Sequence, residues 1–197
     1  GQRASASIRS TILTARFVGE RMSASSRAIT GSVEFDTPAL GQALALAGET
    51  SLLAAVADRL RASGTISWNG QELTAPMLSL NLDGDRLDGA MSLRPGPDGR
   101  WSLSGTFAGA QLDLDRMIRR ADLGRYLAQE DMARGLLDLS GISERNIDLR
   151  LSVESARLAQ MKLTGLALQI MAMNDRIDLN LVQAGAYKGS IKARIAL

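Results

Sequence analysis

The sequence predicts an α+β protein that is mostly β: a curved, twisted antiparallel meander sheet with two amphipathic helical segments packed on one side. Three observations predict it. Apolar and polar residues alternate through most of the chain, from AITGSVEFD at Ala28 to the closing GSIKARIAL. The links between these runs are short and rich in turn residues. Two longer stretches instead space their apolar residues as helices do. Period-two patterning marks strands with one wet and one dry face, and such sheets are usually antiparallel.

The strands read in order. Ile29, Gly31, Val33 and Phe35 share one face, and in GTISW Ile66 and Trp68 follow the same rule. Leu78, Leu80 and Leu82 point one way while Ser79, Asn81 and Asp83 point the other. Leu87, Met91 and Leu93 continue the pattern, as do Trp101, Leu103 and Phe107. The cleanest case sets Ile147, Leu149, Leu151 and Val153 against Asp148, Arg150, Ser152 and Glu154. Asp83-Gly84 and Asn174-Asp175 fit tight hairpins, and Arg94 to Gly99 fits a longer one. Short links of this kind make each strand pair with its predecessor.

The first helical stretch, DTPALGQALALAGETSLLAAVADRLRA, opens at Asp36 with a cap residue and a proline, and carries Leu40, Leu44, Leu53, Val56 and Leu60. Gly48 splits it. The second runs from Leu114 and carries Met117, Ile118, Leu123, Tyr126 and Leu127, with Arg and Asp on its polar face. Each needs a surface for its apolar stripe, most simply the sheet. We read residues 1–197 as one region, with a strand-helix-strand meander at 29–110, a helical segment at 111–140 and C-terminal antiparallel strands at 145–197. An internal repeat supports this. LTAPMLSLNLDGDRLD from Leu73 aligns without gaps to LTGLALQIMAMNDRID from Leu163, so each copy is a strand, a turn and a strand opening Asp-Arg-Leu/Ile-Asp.

The chain has 197 residues, 45% hydrophobic, enough to bury a core. It contains no run of about 18 apolar residues, and its first residues lack the apolar stretch of a signal peptide. Cysteine and histidine are absent, which removes thiolate nucleophiles, imidazole bases and His/Cys metal sites. Net charge is only +2 and aromatics only 4%, so nucleic acid is not an expected partner. Asp83, Asp85 and Asp88 lack the spacing of a calcium loop and suit a hairpin turn instead. Asp113, Asp115 and Asp122 belong at a helix start and on its polar face. Ser190 and Lys192 share a strand face without any base to activate them. Nothing supplies an activated nucleophile or tuned base, so we expect neither enzyme activity nor a cofactor.

VEFDTPALGQALALAG, the run LSLNLDGDRLDGAMSLRPGPDGRWSLSGTFAGAQLDLDRM and the tail from Ile147 together resemble the AsmA-like family of bacterial envelope proteins. VEFDTPALGQALALAG is similar to that family's strand followed by an apolar helix opened by an acid-x-Pro step. LSLNLDGDRLDGAMSLRPGPDGRWSLSGTFAGAQLDLDRM is similar to its strand, "D-x-x-L-x-G" turn, strand, "L-x-G" strand and "L-D-L-D" helix start. The tail from Ile147 resembles its C-terminal region, although Tyr187-Lys188-Gly189 stands where Tyr-Gly-Gly is usual and Ala193 where a later Gly is usual.

The resemblance implies a periplasmic piece of a protein tethered to the inner membrane by an N-terminal helix outside this chain. It also implies a sheet whose apolar groove carries phospholipid or another acyl lipid toward the outer membrane, with a part in outer-membrane biogenesis. The groove candidates are Leu78, Leu80, Leu82, Leu149, Leu151, Val153, Leu168, Ile170, Leu179 and Leu181. Arg116, Arg119 and Arg120 could meet head groups, since guanidinium forks match phosphate, or could form a solvated helix face. Two other readings stand beside this one. The same leucines could form a closed core under the helices. Alternatively, the sheet could be an envelope scaffold that binds proteins rather than lipid.

Overall fold

The computed structural model describes residues 2–21, 28–46, 57–96, 99–120, 145–159, 161–173, 176–187 and 189–196. In chain order the elements are β1 (Gln2–Arg9), β2 (Thr14–Arg21), β3 (Ile29–Thr37), α1 (Leu40–Leu46), β4 (Leu60–Trp68), β5 (Leu73–Leu82), β6 (Asp85–Pro95), β7 (Trp101–Asp113), α2 (Leu114–Arg120), β8 (Arg145–Leu158), β9 (Met161–Met173), β10 (Arg176–Ala186) and β11 (Gly189–Ala196). All eleven strands lie in one open sheet in sequence order. The α+β, mostly β class and the meander are as the alternation predicts.

One pair departs from the antiparallel rule. β7 and β8 run parallel, with Leu103 opposite Ile147 and Phe107 opposite Leu151. A parallel neighbour needs a crossover of a dozen or more residues, and the stretch 114–144 between β7 and β8 is long enough to supply it. The same stretch carries α2. Its expected helical residues Leu123, Tyr126 and Leu127 lie outside the described residues, as does Asp122.

Three boundaries also move. The N-terminal residues form β1 and β2, paired from Gln2–Arg21 to Arg9–Thr14, ahead of the expected start at Ile29. In β1 the alternation is Ala4, Ala6 and Ile8 against serine and arginine, and alanine gives little apolar contrast. Leu60, expected on a helix, starts β4 and pairs with both Thr37 and Leu82. β7 runs through Asp113, so the helix expected from residue 111 starts at Leu114. Leu53, Val56 and Gly48 lie outside the described residues.

The cap of the first helix also differs from expectation. Asp36 does not cap α1; its carboxylate takes hydrogen bonds from Arg59 and Arg61. The buried hydroxyl of Thr37 instead accepts the amide of Ala39 and donates to the carbonyl of Ile12. It thereby ties the start of α1 to the β1–β2 turn.

The core lies on one face of the sheet. Leu40, Ala57, Leu78, Leu82, Leu87, Phe107, Leu112, Val153, Leu163 and Leu166 belong to one buried cluster, against which Leu44, Leu114 and Met117 of the two helices pack. Both helices therefore sit at the same end of the same face, over the end of β3, the start of β4 and the end of β7. A smaller cluster of Ala172 and Ile177 forms at the far hairpin with Ile147 and Leu179.

Hairpin chemistry holds the register. Asp83 and Gly84 both take positive φ, 51° and 105°, the backbone that a two-residue hairpin with the strands' own twist demands. At Gly89 the constraint is space. A Cβ there would stand 2.1 Å from the carbonyl oxygen of Thr106 and 2.7 Å from the ring of Phe107. The ring of Phe107 covers the glycine instead, an arrangement that lets an aromatic lie flat across a bare strand. We expect Gly89→Val to lower stability by about 2–3 kcal/mol in urea unfolding. The neighbouring Ala90→Val, on the exposed face, should change it by less than about 0.5 kcal/mol.

Candidate functional site

The candidate groove residues come to one face of the sheet. Cross-strand pairs set Leu80 opposite Leu87, Leu149 opposite Ile170, Leu151 opposite Leu168, Ile170 opposite Leu179, and Leu168 opposite Leu181. Of the ten candidates, Leu78, Leu82 and Val153 are buried, while the other seven are half-buried. The same face runs on into β2 and β3, where Phe17 pairs with Val33 and Ala15 with Phe35.

Strict alternation would not keep these rows aligned over strands of up to 14 residues. Bulges correct the phase. In β5 the register shifts between Ala75 and Leu78, so Pro76 and Met77 bulge outward and both flanking residues stay buried. Pro76 has no N–H to lose from the ladder there, which is where a strand tolerates proline. Leu181 and Ala184 of β10 flank a second shift, with Val182 and Gln183 exposed between them. Leu163 and Leu166 in β9, and Val153 and Ala156 in β8, are likewise buried at a spacing of three.

Burial falls along β7 and β8 away from the helices, while in β9 and β10 it returns at Ala172 and Ile177. In β7, Leu112 is 3% exposed, Phe107 is 9% exposed, Leu103 is half-buried and Trp101 is 42% exposed. In β8 the sequence runs from buried Ala156 and Val153 to half-buried Leu151 and Leu149. The face is sealed at the helical end and partly open to solvent through the middle of β7 to β10. Trp101, Leu112, Leu166 and Ala184 belong to this face. Leu112 and Ala184 fall out of the two-residue period of their strands and so escape a reading by alternation, whereas Leu166 keeps the period of Leu168 and Ile170.

Aspartates hold the closed end shut. Asp113 caps α2, its carboxylate accepting the amide of Arg116 at 2.9 Å. Asp85 accepts the amide of Asp113 at 3.0 Å and pairs with the guanidinium of Arg116, which also reaches the carbonyl of Leu82. Asp115 accepts the amide of Ala159 at the β8–β9 turn. Arg120 forms a two-pronged pair with Asp58, whose carbonyl accepts the amide of Leu40. Asp83 takes the amides of Asp58 and Arg59 at 3.0 and 2.7 Å.

The head-group candidates are thus divided. Arg116 and Arg120 are engaged in holding α2, and Arg119 is exposed beside them. The carboxylates considered for calcium each have another partner, since Asp83 and Asp85 bind as above and Asp88 pairs with Arg86. Ser190 and Lys192 are exposed on the edge strand β11. Among the described residues no group of three or more acids is placed to hold a metal ion, and no helix is long and apolar enough to cross a membrane.

Charge on the opposite face is paired along and across strands. Arg194 and Arg176 both bind Asp178, and their hydrogen bonds, Arg194's foremost, hold its carboxyl below the ordinary value of 3.8. At Asp36, burial pushes the carboxyl up, but Arg59 and Arg61 outweigh it and the net direction is down. The amide of Arg116 lowers Asp113 in the same sense. No family model, curated protein or solved structure matches the chain.

A carboxyl lowered in the folded state adds stability above its unfolded pKa, and that stability is lost as pH falls through the folded value. The urea midpoint should therefore hold near neutrality and decline below about pH 4. Asp113→Ala should cost about 1 kcal/mol at pH 7. Asp113→Asn keeps a capping oxygen without the charge, so it should stay near wild type at pH 7 and decline less steeply in acid.

Proposed function

We propose that this chain is a non-enzymatic periplasmic segment of an AsmA-like protein, whose one-sided apolar sheet face shelters the acyl chains of phospholipid in support of outer-membrane biogenesis. The observation that carries the reading is the aligned row of half-buried leucines and isoleucines across β8, β9 and β10, left partly open while the helical end is sealed. Each methylene removed from water contributes about 0.8 kcal/mol, so a tail of about 15 carbons gains on the order of 10 kcal/mol before ordering costs. Successive strands present similar side chains at similar depth, so an acyl chain moving from one to the next would change that sum little. No catalytic group is needed for such a role.

Among the described residues β1 and β11 are each paired on one side only, and these edges favour a second reading as an envelope scaffold that adds a partner's strand. A delipidated sample titrated with a fluorescent phospholipid separates the two. Saturable binding is expected, reduced about tenfold or more by Leu151→Asp and by Leu179→Asp in folded protein. A photocrosslinker at Leu149 should label with lipid, and one at Arg150 on the opposite face should not. No saturable uptake, or equal labelling at both positions, removes the lipid reading and leaves the scaffold.

A further inference from the structure

The two helices close the dry face in different ways. Leu40 and Ala43 of α1 are buried, whereas no residue of α2 is. α2 lies against β8, and its Leu114 and Met117 pack on the core cluster as half-buried side chains. At that end of the face runs a fully buried row, with Leu112 opposite Ala156 and Ala156 opposite Leu163. These three residues belong to the same cluster as the half-buried Leu149 and Leu151 farther along β8.

What fastens α2 is polar. Arg116 pairs with Asp85 and reaches the carbonyl of Leu82, both at the β5–β6 hairpin. Asp115 accepts the amide of Ala159 at the β8–β9 turn, at 2.6 Å. Arg120 pairs with Asp58, ahead of β4. Side-chain bonds to separate points of the sheet rim thus hold the helix in place. A cleft of about 490 Å³ lies beside it, lined by Asp113 and Arg116 together with Ala156, Arg157, Met161 and Lys162. The seam between α2 and the strands β8 and β9 is therefore open to solvent. An element with few buried apolar contacts and bonds that water can replace is the kind that opens locally, well below the cost of global unfolding.

We infer that α2 is a lid. It opens in the native protein by releasing these polar ties, and opening adds Leu112, Ala156 and Leu163 to the exposed dry face. The ties form only in the closed position, so the closed lid is the resting state. Whatever seats on the uncovered row favours the open state, because it binds there and not to the closed one. That the occupant is an acyl chain running on from Leu149 and Leu151 rests on the lipid reading above. The opening itself does not.

The chain has no cysteine, so a single introduced thiol reports the opening. Ala156→Cys places it in the row that α2 closes, and Ala75→Cys places one in β5, equally buried and away from both helices. With a maleimide in native buffer, Ala156→Cys should react about tenfold or more faster than Ala75→Cys, whose thiol is uncovered only by global unfolding. Adding Arg120→Gln should raise the Ala156→Cys rate about threefold, the scale of one partly exposed ion pair. Equal rates at the two thiols, or an Ala156→Cys rate that ignores Arg120→Gln, overturns the lid.

Hydrogen exchange on the unsubstituted chain is the second readout, and it holds even where a cysteine variant folds poorly. Amides of α2 should exchange faster than those of β8, at a rate little changed by low urea. Exchange of α2 in step with β8 at every urea concentration overturns the lid. Neither readout uses lipid. The phospholipid titration can therefore fail while the lid stands, and the lid can fail while the titration succeeds.

Discussion

Everything in this fold depends on keeping the apolar side chains of eleven strands on one face. A sheet has a strict two-residue period, so a single slip would carry a whole strand's leucines into water. Long strands make the constraint harder, because twist accumulates and the core is not equally deep along them. The protein meets it with bulges. Between Ala75 and Leu78, and again between Leu181 and Ala184, one extra residue is expelled toward solvent and the apolar row resumes in phase. The exposed residues at these points, Met77 and Val182, are what correction leaves on the wet side.

A sheet with one dry face must end somewhere, and its two ends are treated differently. At one end the chain folds two short helices over the face and fixes them with carboxylates aimed at backbone amides. Short stretches of helix have little stability of their own and depend on such contacts. Asp113, Asp85 and Asp115 supply α2 with a cap, an ion pair and a tie to the β8–β9 turn. Arg120 and Asp58 then join α2 to the segment that also anchors α1 through Leu40. Packing of Leu40, Leu114 and Met117 provides the apolar part of the closure. The other end has no such closure among the described residues, and Trp101 stands partly in solvent there.

How far this was legible in the sequence follows from the same physics. Alternation located β3 to β11 and the face each candidate occupies, because leucine and isoleucine against aspartate and serine give strong contrast. It missed β1, where alanine against serine gives almost none, and β2, where Val18 falls on the wet face between Arg16 and Glu20. It also stopped wherever the two-residue period breaks, since pairs such as Val153 with Ala156 and Leu163 with Leu166 are spaced like residues on a helix. The parallel β7–β8 pair was hidden in the length of the link, which read as a place for a helix rather than as a change of direction. The Asp–Arg network could be seen only as composition. Which acid meets which base is set by distant strands, as with Asp58 and Arg120 or Asp85 and Arg116.

The internal repeat shows how such a sheet is assembled from a reusable unit. β5–β6 and β9–β10 occupy the two copies, with their last strand pairs, Leu82–Asp85 and Met173–Arg176, one residue apart in the alignment, and in both the first residues of the returning strand place Arg and Asp on the solvent face as a pair, Arg86 with Asp88 and Arg176 with Asp178. The first of these pairs is exposed on both sides and adds little to stability. Their value is in register, because an arginine and an aspartate two residues apart are both wet only if the leucine or isoleucine between them is dry. Leu87 and Ile177, the residues in that place, are buried at 5% and 4% exposure. The bulges do not match between the copies, lying at Pro76–Met77 in one and within β9 and β10 in the other. The unit therefore fixes which face is dry at the turn, and the bulges adjust it strand by strand to its neighbours. A unit that sets facing locally can be repeated without any one core to fill, and that is what permits an eleven-stranded open sheet in a chain of this size.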